Sequence, residues 1–140
     1  MAMASREALL DLLASHKRGV LVTLKRDGRP QLSNVAYAFD DGVIRISVTD
    51  DRAKTKNLRR DPRASFHVTR EDFYAYAVAE GDAEVSAVAA DPHDATVDAL
   101  VEVYRAVAGE HDDWEDFRAA MVRDKRVVVT IPVGHLYGMA

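Results

Sequence analysis

A small antiparallel β-barrel flanked by helices, mainly β within the α+β class, is the fold this sequence predicts. Three observations carry it. Runs rich in β-branched residues alternate with turn pairs such as Asp27-Gly28 at hairpin spacing. The runs number about five or six, the count that closes a small barrel. Apolar residues at helical spacing stand apart from them, near the N-terminus and between Val97 and Met121.

Ser5 is placed to cap a first helix carrying Leu9, Leu10, Leu12 and Leu13, which Gly19 would end. Val20 to Leu24 reads as a strand, and Lys25 to Arg29 as its hairpin turn. Gln31 to Phe39 reads as a second strand, with Leu32, Asn34, Ala36 and Ala38 on one face and Ser33, Val35, Tyr37 and Phe39 on the other. Asp40-Asp-Gly42 turns the chain into Val43 to Thr49, completing a three-stranded meander. A short basic helix follows, with Asp50 or Asp51 as its cap. Ala64 to Thr69 is the next strand. After a Glu71-Asp72 turn comes a long run from Phe73 to Ala87, interrupted at Gly81. Asp91-Pro92 opens a helix with Val97, Leu100, Val101, Tyr104 and Ala108 on one stripe. Asp112 starts another, with Trp114, Phe117 and Met121. Arg126 to Val133 returns as a last strand, and His135 to Gly138 closes the chain. With 140 residues and no linker, this is one domain, 1–140.

The charge pattern is uneven. Arg52 to Arg63 holds six basic residues against one acid, Asp61, inside a chain of net charge −4. The rest of the chain therefore carries 13 basic and 22 acidic residues, a balance of −9. Such an inversion at a helix start points to an anion. Free N–H groups in the first turn and the helix dipole favour a phosphate there, with Arg52 and Lys54 able to wrap it and Thr55 adding a hydroxyl. A solvated helix face is the competing reading. Ser33 and Asn34, polar in mid-strand, either line a ligand groove or face water.

Other chemistry is excluded or unsupported. With no cysteine there are no disulfides, thiolate sites or thiol nucleophiles. The five histidines show no metal-ligand spacing. No Walker loop, GxGxxG turn or nucleophile elbow occurs. The N-terminus lacks the order of a signal peptide, and no apolar run approaches a membrane span, so a cytoplasmic protein is expected. A net negative charge without aromatic residues among the basic ones argues against nucleic acid. Trp114 and Tyr104 read as core or interface. No catalytic side chain is identified, so chemistry would come from a bound cofactor.

Four stretches, Gly28-Arg-Pro-Gln-Leu-Ser-Asn34, Arg52 to Arg63, Tyr76-Ala-Val-Ala-Glu-Gly81 and Ala108-Gly-Glu-His-Asp-Asp-Trp114, resemble the pyridoxamine-phosphate-oxidase-like split-barrel flavoproteins. Within these, the chain is most similar to the actinobacterial B-type branch of flavin/deazaflavin oxidoreductases that uses coenzyme F420. The resemblance implies an FMN-binding-like, six-stranded antiparallel split barrel that forms a homodimer, with two cofactor sites at the subunit interface. It implies an oxidoreductase transferring hydride from the reduced deazaflavin to an electron-poor small-molecule acceptor. An FMN-dependent oxidase or reductase and a non-catalytic F420 carrier are the alternatives. By the same resemblance Arg52, Ala53, Lys54 and Thr55 hold the cofactor phosphate, and Asn57 steadies the turn. Leu32, Ser33, Asn34, Ser47 and Val48 line the ring, and Tyr76 stands where the family places a ring-contacting glutamine. The basic and aromatic grip of true pyridoxamine oxidases near the C-terminus has no counterpart. Lys56, Arg59, Arg60 and Arg63 are surplus to one phosphate, which favours F420 with its oligoglutamate tail over FMN.

Overall fold

A computed structural model describes residues 4–140, so the first three residues of the N-terminal segment read for a signal peptide lie outside it. In chain order the elements are α1 (Arg6–Ala14), β1 (Arg18–Leu24), β2 (Pro30–Ala36), β3 (Ala38–Asp40), β4 (Val43–Thr49), α2 (Ala53–Arg60), β5 (Arg63–Thr69), β6 (Tyr76–Asp82), β7 (Glu84–Val85), α3 (Ala95–Ala108), α4 (Trp114–Arg123), β8 (Arg126–Pro132) and β9 (His135–Met139). The strands form two antiparallel sheets, ordered β2-β1-β5-β6-β9 and β3-β4-β8-β7. The described residues thus hold nine strands rather than six, because two predicted strands change sheet midway and the closing stretch from His135 adds a ninth.

The stretch Gln31 to Phe39 is the clearest case. It pairs with β1 up to Ala36 and with β4 from Ala38 onward, so the expected meander is divided between the sheets. Tyr37 is the corner. Its side chain is buried and its hydroxyl donates to the Leu13 carbonyl at the end of α1. Its amide donates to the Lys17 carbonyl at 3.0 Å. A second corner falls at Ala83, between β6 and β7. Gly81 does not interrupt the strand before it but permits a close approach. A Cβ there would lie 2.2 Å from the Pro132 carbonyl oxygen at the end of β8. Gly19 likewise does not end α1. It lies in β1 over the Phe66 ring, where a Cβ would come within 2.6 Å of that ring.

Burial pushes the Tyr37 hydroxyl well above the ordinary phenol value. The unfolded chain releases this proton near pH 10, the folded chain only at higher pH. Its stabilising contribution is therefore whole below about pH 10 and is lost as the pH rises through the folded value. Denaturant titrations are expected to show stability falling above about pH 10, with a shallower fall in Tyr37→Phe. An identical slope in both proteins would contradict this account.

The core lies between the sheets. Leu21, Ile44, Ile46, Phe66, Val68, Val127, Val129 and Ile131 are fully buried there, and Leu9, Leu12 and Leu13 of α1 close one end. Ser5 caps α1 as its position predicts, accepting from the Ala8 amide. A second, smaller core packs α3 and α4 against the outer face of the four-stranded sheet. Val97, Leu100, Val101, Phe117 and Met121 meet Val128 there. The run of valines in β8 serves both cores, since alternate residues point to opposite sides of a sheet. Asp94, not Asp91, caps α3, accepting from the Val97 amide at 2.8 Å. Asp113 rather than Asp112 caps α4.

Candidate functional site

A cleft of about 600 Å³ opens between the α3–α4 pair and the barrel. Its floor is Asn34 to Ala36 of β2 and Ser47 to Thr49 of β4. Its wall is apolar, formed by Leu100, Val103, Tyr104, Val107, Phe117 and Met121. Its basic end is formed by Arg52, Lys54 and Arg126.

The basic end follows from how α2 is seated. Expected caps Asp50 and Asp51 are both engaged otherwise, Asp50 in an ion pair with Arg59 and Asp51 as acceptor for the Thr49 hydroxyl. The N-cap is Arg52, which offers no capping acceptor. Among the described residues, no acceptor is recorded for the amides of Ala53, Lys54 and Thr55. These three N–H groups and the helix dipole leave the end of α2 electropositive.

The inner face of α2 is polar and satisfied. The Thr55 hydroxyl, fully buried, donates to the Thr49 carbonyl at 2.8 Å. This turns it away from the anion-facing position expected from its sequence spacing. Asn57 donates to Thr23 Oγ1 at 3.1 Å and to Gln31 Oε1 at 2.7 Å, and accepts from Arg60. These bonds tie α2 to β1 and the start of β2, which sets where its first turn points.

The cationic surplus is largely committed. Arg59 pairs with Asp50 and Arg63 with Asp61, while Arg60 donates to the Leu24 carbonyl at 2.7 Å. Lys56 alone among the four has no recorded partner. By contrast, among the described residues Arg52, Lys54 and Arg126 form no ion pair. Burial, then the nearby Arg52 and Arg126, hold the Lys54 amine below its ordinary value. Arg52 donates to the Thr49 hydroxyl at 3.3 Å and Arg126 to the Ser47 hydroxyl at 3.4 Å, both long contacts to neutral groups. A cation cluster without a carboxylate partner thus stands beside free helix amides and is chemically suited to a phosphate group.

Of the residues selected from sequence, Asn34, Ser47, Val48, Arg52 and Lys54 meet in this cleft. Ala53 lies on the adjoining flank with Thr49, Asp51, Arg52 and Asp124. Ser33 pairs with Leu21, and Leu32 is 62% exposed on the outer face of β2. As an edge strand, β2 leaves one row of backbone N–H and C=O groups without a partner strand. Tyr76 is outside the cleft, on the outer face of the five-stranded sheet, its ring 5.7 Å from His67. A second hollow of about 450 Å³ on that face shares Asn34, Val35 and Ala36 with the cleft and reaches His67 and Thr69.

Sequence reasoning missed Arg126 and Tyr104. Arg126 begins a valine strand with nothing to distinguish it locally. Tyr104 read as core; it packs against Phe117 at 5.0 Å and Trp114 at 5.7 Å, yet also lines the cleft. Among the described residues no His, Asp and Glu cluster is placed to hold a metal, and no helix is long and apolar enough to cross a membrane.

Solved structures share this architecture. The chain is similar to the conserved hypothetical protein Rv2991 of Mycobacterium tuberculosis, with 29% identity and TM-score 0.77, over 97% of this chain and 84% of that one. An F420 reductase is similar in fold at 24% identity and TM-score 0.68, over 90% and 93% of the two chains. An FAD-binding protein of Mesorhizobium loti matches at 16% identity and TM-score 0.70, over 98% and 95%. At those two identities the likeness speaks for the fold alone. The family model described as pyridoxamine 5'-phosphate oxidase matches residues 5–139, nearly the whole described chain. By sequence and by its two-sheet antiparallel barrel, this chain belongs to the pyridoxamine 5'-phosphate oxidase family.

Proposed function

We propose that the protein is a flavin- or deazaflavin-dependent oxidoreductase whose cofactor phosphate docks at the start of α2. The observation that carries this reading is the unpaired basic end of the cleft, with its three free amides, in a chain otherwise rich in carboxylates. When bound, the cofactor supplies the hydride chemistry for reducing an electron-poor small molecule. The chain's own part is positional. Arg52, Lys54 and the α2 amides neutralise the phosphate, Ser47, Val48 and Asn34 border the ring, and the α3–α4 wall excludes water.

Coenzyme F420 is the first reading, from the resemblance to the deazaflavin branch. FMN is the second, favoured by a specific observation. Three of the four cations counted toward an oligoglutamate tail are engaged within the chain. Titrating the protein with each cofactor, following fluorescence, separates them. Tighter binding of FMN would retire the F420 reading, and binding of neither would retire both.

The family resemblance further supports a homodimer in the cytoplasm. The outer face of the five-stranded sheet carries Val20, Val22, Leu32, Val78 and Tyr137 in register, and it continues into the hollow that shares Asn34 with the cleft. A second copy covering this face would complete the ring side of each site. Leu32→Glu places two carboxylates in such an interface and is expected to halve the mass seen by light scattering. An unchanged mass, or a monomeric parent, would count against this face.

A further inference from the structure

Arg126 opens β8 directly across the strand pair from Thr49, the last residue of β4. Its NH1 lies 3.4 Å from the Ser47 hydroxyl, a long contact, and its Nε is shielded from solvent without an acceptor. It lines the same cleft as Arg52 and Lys54, which approach from α2. Seven arginines among the described residues pair with carboxylates; these three cations, like Arg6, Arg18, Arg26, Arg45 and Arg60, do not, and they share one cleft. Acids that flank the cations along the chain or share the adjoining hollow are taken or turned aside. Asp50 is held by Arg59, Asp51 accepts from Thr49, and Asp124 lines the hollow on the other flank of Arg52.

Three like charges converging in a partly enclosed cleft repel one another unless an anion joins them. A singly charged ligand leaves two of them uncompensated. A doubly charged one leaves one, which the surrounding solvent readily screens. Arginine suits the task because its planar fork can donate to one oxygen pair while Ser47 steadies the other edge.

We propose that Arg126 is a specificity-determining residue that makes the cleft select a ligand end bearing two negative charges over a neutral one. The inference rests on the reading that a phosphate-bearing cofactor occupies this cleft. Two ligand ends carry such charge: the terminal phosphate monoester of FMN, largely dianionic at neutral pH, and the phosphate of F420 with its tail carboxylates.

The test uses the full chain and compares FMN with riboflavin, and F420 with its phosphate-free core. The charge-bearing member of one pair is expected to bind at least about tenfold more tightly than its neutral counterpart, and Arg126→Gln to remove most of that preference. The neutral member should bind the variant within about twofold of wild type, and Arg126→Lys should retain part of the preference. The pair that responds identifies the source of the charge. In parallel, the Lys54 side-chain NMR signal is titrated with pH and with inorganic phosphate, its midpoint expected to rise in Arg126→Gln. A charge preference that survives Arg126→Gln overturns this inference and leaves the cofactor reading standing. Loss of all flavin and deazaflavin binding, beside a phosphate-sensitive Lys54 signal that Arg126→Gln abolishes, retires the cofactor reading and upholds the three-cation site. A Lys54 signal blind to both phosphate and Arg126→Gln overturns this inference, and beside loss of all flavin and deazaflavin binding it overturns the cofactor reading as well.

Discussion

Lys54→Ala is expected to weaken binding of the phosphate-bearing cofactor at least tenfold, a loss of about 1.4 kcal/mol or more. Lys54 shares the cleft with Arg52 and Arg126, feels both charges and is partly desolvated, so its charge is poorly screened by water. Its amine makes no bond within the described chain, and truncation should therefore leave the fold intact. Binding an anion should also raise the lowered Lys54 value, because the charged form gains a partner. Calorimetric titration of wild type and Lys54→Ala reads the effect directly. Equal affinities would remove Lys54 from the site and with it the central part of the proposed phosphate cradle. Arg52→Ala should act in the same direction, but not additively, since the two cations share one ligand.

Phe66→Ala is expected to be the most destabilising single truncation, costing about 3–5 kcal/mol. The ring is fully buried in β5, meets Tyr37 edge-on with centroids 4.7 Å apart, and lies beneath Gly19 of β1. Gly19 has no side chain to refill the space, and the Tyr37 hydroxyl is held by Leu13. The cavity should persist rather than collapse. Against a typical domain stability of about 5–15 kcal/mol, such a loss lowers the urea midpoint sharply. A midpoint within experimental error of wild type would show that the corner at Tyr37 repacks freely.

Much of the barrel was readable because its signals are local. The capping Ser5, the Asp27-Gly28 and Asp40-Asp-Gly42 turns, and the alternation along Val43 to Thr49 each depend on neighbours within a few residues. Strand division was not readable in the same way. Gln31 to Phe39 keeps one alternation throughout, and only the burial of Tyr37 between α1 and Phe66 breaks it in two. The candidate site divides along the same line. Arg52 and Lys54 announced themselves by charge density, whereas Thr55, equally prominent in the motif, is turned inward by its bond to Thr49.

From the residues alone came the class of fold, a basic helix start on an acidic background, and an apolar helical pair near the C-terminus. Tertiary structure decided which cations remain available. Arg63 finds Asp61 two residues away, Arg59 and Arg60 find partners that folding brings close, and Arg126, distant along the chain, arrives beside Lys54 because β8 pairs with β4 in a register that sets it opposite Thr49. Composition counts charges, but the fold determines which of them already have a counterion, since attraction between charges depends on their separation in space.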